Sequence, residues 1–259
     1  MMNTKSWIEH FERNQFGFVE PVTVPGGSRL PELVRKPLAR SLAVFQLGES
    51  GGGTRLMRYV RQTVAEEDGF TGYERAVQYF VAEEQNHARL LVNLVKYLGG
   101  DLIEKQWSNS VFRKIRHGLG LEFNLQILLT AELMAEVYYG LLYRRSGDEV
   151  VRVYCHKILS DEMRHLAFHA EFFRSRAEDW SEEKKTWWGW QFGVCLRAIA
   201  MVLAWEHRDC FKALGVGKGE VFRMAVKSGE RFMRRIDGGQ KLWRARMQAR
   251  AEGSTMVAS

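Results

Sequence analysis

FVAEEQNHARLL at residues 80–91 and SDEMRHLAFH at residues 160–169 decide how this chain is read. Each contains a Glu-x-x-His pattern: Glu84 with His87, and Glu162 with His165. Residues three apart on a helix share a face, so each pair aims a carboxylate and an imidazole at one point. One such match is cheap in a Glu-rich chain with seven histidines. The informative question is where the four residues fall in the hydrophobic pattern.

The first segment, at heptad-like spacing, reads Val77, Phe80, Glu84, His87, Leu91, Leu94, Leu98. The second reads Val151, Cys155, Ile158, Glu162, His165, His169, Phe172. In both, polar groups occupy the line that should be buried. A solvated ion-pair fragment would sit opposite the apolar stripe. Carboxylates on a buried line are costly unless paired or metal-bound. Carboxylate oxygens and imidazole nitrogens facing a matching set suit a pair of transition-metal ions.

A di-metal site in a four-helix bundle takes one further carboxylate from each of two other helices. The same test finds Glu132 in Leu121, Leu125, Leu128, Glu132, Ala135, Tyr139, Leu142, and Glu49 in Leu38, Leu42, Phe45, Glu49, Gly53, Leu56, Val60. The expected metal ligands are therefore Glu49, Glu84, His87, Glu132, Glu162 and His165. In an antiparallel pair, residues at one level are equidistant from the turn. The midpoint of Glu132 and Glu162 is Gly147, inside Ser146-Gly147-Asp148. The midpoint of Glu49 and Glu84 falls just before Asp68-Gly69, a mismatch of roughly one helical turn between the ligands.

The chain of 259 residues is 46% hydrophobic, enough for a large core. All four prolines lie at 21, 25, 31 and 37, and the uninterrupted remainder reads as all-α. We expect an N-terminal helix and loop over 1–30 and a four-helix bundle with one long crossover over 31–179. Two extra C-terminal helices over 180–236 should pack on it, followed by a basic, partly disordered tail over 237–259. Within the bundle, helices are expected from about 31 or 37 to 67, 72 to 98 (capped by Thr71), 111 to 145 and 149 to 178. Glycines at 48 and 51–53, beside Glu49, predict a break or kink, read equally as a loop or as room for a neighbouring backbone or substrate.

Three widely spaced cysteines, Cys155, Cys195 and Cys210, contain no Cys-x-x-Cys, which excludes a rubredoxin-type iron site or zinc ribbon. With an N-terminus lacking the apolar run of a signal peptide, they point to a cytoplasmic protein. The net charge of +7 is concentrated late, at Arg231, Arg234, Arg235, Lys241, Arg244, Arg246 and Arg250. No nucleic-acid motif accompanies it. Trp187, Trp188 and Trp190 precede an apolar stretch, Phe192 to Trp205, that is shorter than a membrane span. It reads as a cover for the bundle or as an interfacial helix, which leaves peripheral membrane contact and a homodimer open as partners.

The order Glu49, Glu84 with His87, Glu132, Glu162 with His165 resembles the ferritin-like di-iron carboxylate superfamily. FQLGESGGG (45–53) and TAELMAEVYYG (130–140), with the two motif segments, look like a bacterial group of ferritin-like domain proteins. The spacing of Glu49 and Glu84 is similar to that of arylamine N-oxygenases, whose extra histidine ligand falls where this chain has Ile158; His169 stands one turn after His165 instead. Rubrerythrins place a second carboxylate near Glu136. The resemblance implies two Fe ions (or Mn/Fe), O2 as co-substrate, an external electron donor and oxidation of a small organic substrate. Iron oxidation or peroxide scavenging, and a membrane-surface quinol-linked oxidase, are the alternatives. Around the site, Asp161 reads as an orienter of a ligand histidine or a surface charge. Glu136 reads as a seventh ligand or proton carrier. Tyr138 and Tyr139 read as gates or electron relays, or as core.

Overall fold

The computed structural model describes residues 2–16, 26–66, 70–115 and 120–236. These are helical, with no strand among them. The elements are α1 (Thr4–Phe16), α2 (Glu32–Glu49), α3 (Thr54–Glu66), α4 (Tyr73–Tyr97), α5 (Trp107–Ile115), α6 (Gly120–Arg145), α7 (Glu149–Glu178), α8 (Glu182–Glu206), α9 (Arg208–Ala213) and α10 (Lys218–Ile236). The expected turn at Asp68-Gly69 and the tail 237–259 lie outside the described residues.

Two helix pairs form the frame: α2 lies along α4, and α6 along α7. The pairs meet through α4 with α7 and α3 with α6. Their facing stripes supply the core, with Leu42, Phe80, Leu91, Leu94, Leu125, Leu142, Val151, Cys155, Ile158 and Phe172 all fully buried. α8 and α10 pack on each other and on α6, while α1 packs on α4. Surrounded on most sides, α6 is apolar around its circumference, as a central helix must be.

Local chemistry sets the joints. Gly147 (φ +70°) turns the chain between α6 and α7. Asp148 then caps α7, accepting a hydrogen bond from the Val151 N–H at 3.2 Å. At the start of α4 the cap residue is Gly72 (φ +83°), not Thr71, and no side chain serves the cap. The Thr71 carbonyl instead accepts from the Thr4 hydroxyl at 2.7 Å, tying α1 to the bundle.

The glycine run divides the first bundle helix into α2 and α3, leaving Glu49 as the last residue of α2. Gly53 adopts φ +62°, a left-handed conformation costing other residues about 1–2 kcal/mol. A Cβ there would stand 2.7 Å from Val81 Cγ2 on α4. The break thus also permits close approach of α4. Gly53→Ala is expected to destabilise the fold by about 2 kcal/mol or more, through strain and displacement of Val81. Gly48→Ala, helical and with nothing within 4 Å of the new methyl, should be neutral or stabilising by up to about 1 kcal/mol. Urea denaturation of the two variants checks the contrast.

Candidate metal centre

Four helices contribute to one buried cluster. α4 supplies Glu84 and His87, and α7 supplies Glu162 and His165, each pair separated by one helical turn. One ligand atom from each of these four lies within 4.8 Å of all the others. His165 Nδ1 is 2.9 Å from Glu84 Oε1, 3.3 Å from Glu132 Oε2 and 3.6 Å from Glu162 Oε2. His87 Nδ1 is 3.5 Å from Glu162 Oε1 and 3.7 Å from Glu84 Oε1. Glu132 of α6 therefore flanks the His165 side. Glu49, at the end of α2, sits against Glu84 and accepts a hydrogen bond from the Tyr139 hydroxyl at 3.4 Å.

Both imidazoles turn Nδ1 inward and Nε2 outward, where each meets a second carboxylate. His87 Nε2 is 3.1 Å from Asp161 Oδ2, and His165 Nε2 is 2.8 Å from Glu83 Oε2. The arrangement is crosswise: the acid preceding Glu162 holds the histidine of α4, and the acid preceding Glu84 holds the histidine of α7. Lys157 bonds Asp161, and Asn14 of α1 donates to Glu83 Oε1 at 3.0 Å. Such a partner fixes the ring and makes the inward nitrogen a better metal ligand. Asp161 was read as an orienter or as a surface charge, and its bond to His87 Nε2 fits the first. Glu83 was not singled out, although an acid directly before the Glu in both motifs was a readable signal.

His165 Nδ1 has a hydrogen-bond partner in Glu132 Oε2, at 3.3 Å, but several inward atoms have none. Glu84 Oε1, His87 Nδ1 and both Glu162 oxygens are buried with none. Their contacts are close, but not aligned as hydrogen bonds. Buried polar atoms left this way are costly, and several converging on one point call for a shared cation. Oxygen and imidazole donors of this kind fit divalent transition metals.

Electrostatics carries the same strain. Burial, then the charge of Glu84, pushes the Glu49 and Glu132 carboxyls well above their usual range. Burial opposes charging of His87, but Asp161, Glu162 and Glu84 outweigh it and raise the group to about 9. Burial likewise opposes charging of His165, and Glu84 with Glu132, Glu162 and Glu83 more than compensates. Without a cation, the carboxylates hold protons on the histidines and on each other. A metal replaces those protons.

Other singled-out residues lie elsewhere. Glu136 is not brought to the cluster; it bonds Ser228 and accepts from Arg231 at 2.7 Å, at the seam of α6 and α10. Tyr138 bonds Ser41 at 2.7 Å and stacks on Phe45. His169 is fully buried, with neither ring nitrogen partnered and Phe80 edge-on at 5.3 Å. Burial, with the neighbouring His165, lowers it to about 3. α1, which the sequence placed outside the bundle, covers the back of the site: Phe11 lies 6.0 Å from the His165 ring.

A cavity of about 430 Å³ adjoins the cluster, with Glu49, Glu84 and Glu132 on its wall. The rest is mostly apolar, from α2, α5, α6 and α8, and includes Phe45, Phe112, Leu128 and Ile199. Comparison with known proteins adds nothing to this geometry: no family model, curated protein or solved structure matches the chain.

Asp161→Asn and Glu83→Gln are each expected to weaken Mn(II) binding roughly 10–100-fold. Titration followed by electron paramagnetic resonance, with circular dichroism as the check on folding, measures it.

Proposed function

We propose that this chain is a di-iron carboxylate oxidoreductase with a ferritin-like bundle, activating O2 to oxidise a small organic substrate. The observation that carries the reading is a set of unpartnered buried carboxylate and imidazole atoms beside a mostly apolar cavity that Glu49, Glu84 and Glu132 line. Glu49, Glu84, Glu132 and Glu162, with His87 and His165, would hold the metal pair. Four carboxylates balance two divalent ions, and their hard oxygens favour iron or manganese over softer metals. When bound, an iron pair supplies the redox chemistry with O2, drawing on an external electron donor.

The chain's own contribution is ligation, access and exclusion of water. Asp161 and Glu83 orient the two imidazoles. Phe11, Phe80 and Phe168 seal the side behind His165. Tyr139 keeps its proton, because burial and then the Glu49 charge raise its pKa, and it donates to Glu49 where the cavity meets the cluster. The cavity favours an organic substrate over iron storage, because its wall beyond the three ligand carboxylates is mostly carbon.

Anaerobic Fe(II) titration followed by O2, read by Mössbauer spectroscopy and an oxygen electrode, tests this. Two Fe(II) per chain should bind and be oxidised together, and Glu162→Ala should abolish it. Ferric iron accumulating well beyond two ions per chain would establish storage instead.

One feature favours a second, compatible reading, in which the protein works at an anionic membrane surface. Trp187, Trp190, Val194, Met201 and Trp205 share one face of α8 and are 47–60% exposed. Trp187 and Trp190 stack on each other, and Arg208 lies over Trp205. Exposed tryptophans with cationic neighbours suit a lipid headgroup region. The face is centred near Arg197, so an antiparallel second copy would oppose like charges there. Flotation with phosphatidylglycerol vesicles should recover the protein. The triple substitution of Trp187, Trp190 and Trp205 by Ser should abolish this. No flotation, with a dimer in solution broken by the same substitution, would overturn it.

A further inference from the structure

Among the polar side chains of the cavity that the metal centre does not use are Glu206, at the end of α8, and His207 beside it, with Ser108 and Asn109 of α5 also on the wall. The Glu206 side chain is only 8% exposed, and its Oε1 accepts from Gln106, just before α5. His207 is buried and its Nδ1 lies 2.7 Å from Ser41 Oγ, which in turn lies 2.7 Å from the Tyr138 hydroxyl. Phe45, stacked on Tyr138 at 3.9 Å, also packs against the His207 ring at 5.0 Å. The ring is thus fixed from its Nδ1 side. Its Nε2 stands 4.0 Å from Glu206 Oε2.

Burial lowers His207 to about 3, so the ring is neutral at neutral pH. The tautomer that carries its proton on Nδ1, toward Ser41, leaves Nε2 as an acceptor, and it is the one the site requires. Glu206 Oε2 is a second acceptor next to it. Two acceptors side by side in a carbon-walled cavity match a group that offers at least two N–H donors. A carboxylate partner adds preference for positive charge.

The head-group end is separated from the metal ligands. Ser41, which holds His207, and Glu49 are eight residues apart on α2, about 12 Å along the helix. Val44, Ile199, Val202 and Leu203 line the apolar wall of the same cavity.

We propose that Glu206 and His207 form a head-group site for a lipophilic primary amine, whose apolar body extends toward Glu49, Glu84 and Glu132. The proposal rests on the oxidoreductase reading for what becomes of the ligand, and it adds the substrate class. It places the amine at the end of the cavity remote from the metal ligands and the apolar end beside them.

The probes are n-octylamine, n-octanol and n-octanoate, matched in chain length and different in head group. Binding is measured by isothermal titration calorimetry on the full chain, metal-free and Mn(II)-loaded. Octylamine should bind at least tenfold more tightly than octanol, and octanoate most weakly, in both forms. Glu206→Gln should remove the tenfold preference, leave octanol affinity within twofold and leave iron stoichiometry unchanged. An amine preference that survives Glu206→Gln assigns the attraction to the cluster carboxylates and overturns the proposal, as does the absence of any preference in the wild type. Ile199→Trp, on the wall away from the Glu206–Gln106 bond, provides the second arm. It should abolish binding of all three probes, and retained binding would place the ligand outside the cavity. Failure of the metal reading looks different: iron loading would be absent while the amine preference stayed intact.

Discussion

Four carboxylates and two imidazoles converge in the middle of a helical bundle, and no protein group satisfies Glu84 Oε1, His87 Nδ1 or either Glu162 oxygen at their centre. In a dry interior such a set cannot all carry charge without a counter-ion. The chain answers partly with protons, which burial and neighbouring charges force onto Glu49, Glu132, His87 and His165. That is a costly arrangement for a core that apolar residues of the same volume would fill more cheaply. The rest of the structure makes sense as what is needed to hold this cluster in place and to give it access on one side.

Holding it in place involves more of the chain than the four ligand-bearing helices. The crosswise acids tie α4 and α7 together through the two imidazoles, so the outward nitrogens add bonds between helices as well as orienting rings. α1 takes part through Asn14 to Glu83 and through Phe11 against His165. Access comes from the opposite side, where the glycine break after Glu49 and the wall of α8 leave a cavity instead of packed side chains. Leu128 and Phe45, expected in the packed core, are only partly buried, since both line this space.

Much of this was legible in the sequence because helical periodicity is a strong signal over long, unbroken segments. The expected helix over 149–178 coincides with α7, bounded by Gly147 and its Asp148 cap. The positions of Glu49, Glu84, His87, Glu132, Glu162 and His165 were read from polar groups standing on apolar stripes. Periodicity failed where burial is not one-sided. α6 is enclosed by neighbours, so its stripe could not show that Glu136, one turn beyond Glu132, faces α10 and Arg231 instead of the cluster. The split of the first helix was foreseen from its glycines, but the contact of Gly53 with Val81 depends on packing between helices. Glu206 and His207 lie far along the chain from either motif and share no spacing with them, so only the fold brings them to the same cavity as Glu84.

A metal centre requires cations at the point toward which those unpartnered atoms are turned. Diffraction from crystals grown with Mn(II) or Fe(II), recorded at the absorption edge of the metal, locates them directly. Two anomalous peaks roughly 3.5–4 Å apart, enclosed by Glu84, His87, Glu162 and His165 with Glu49 and Glu132 at either side, are the predicted result. Metal held only by surface carboxylates, with no anomalous density inside the cluster, would contradict it.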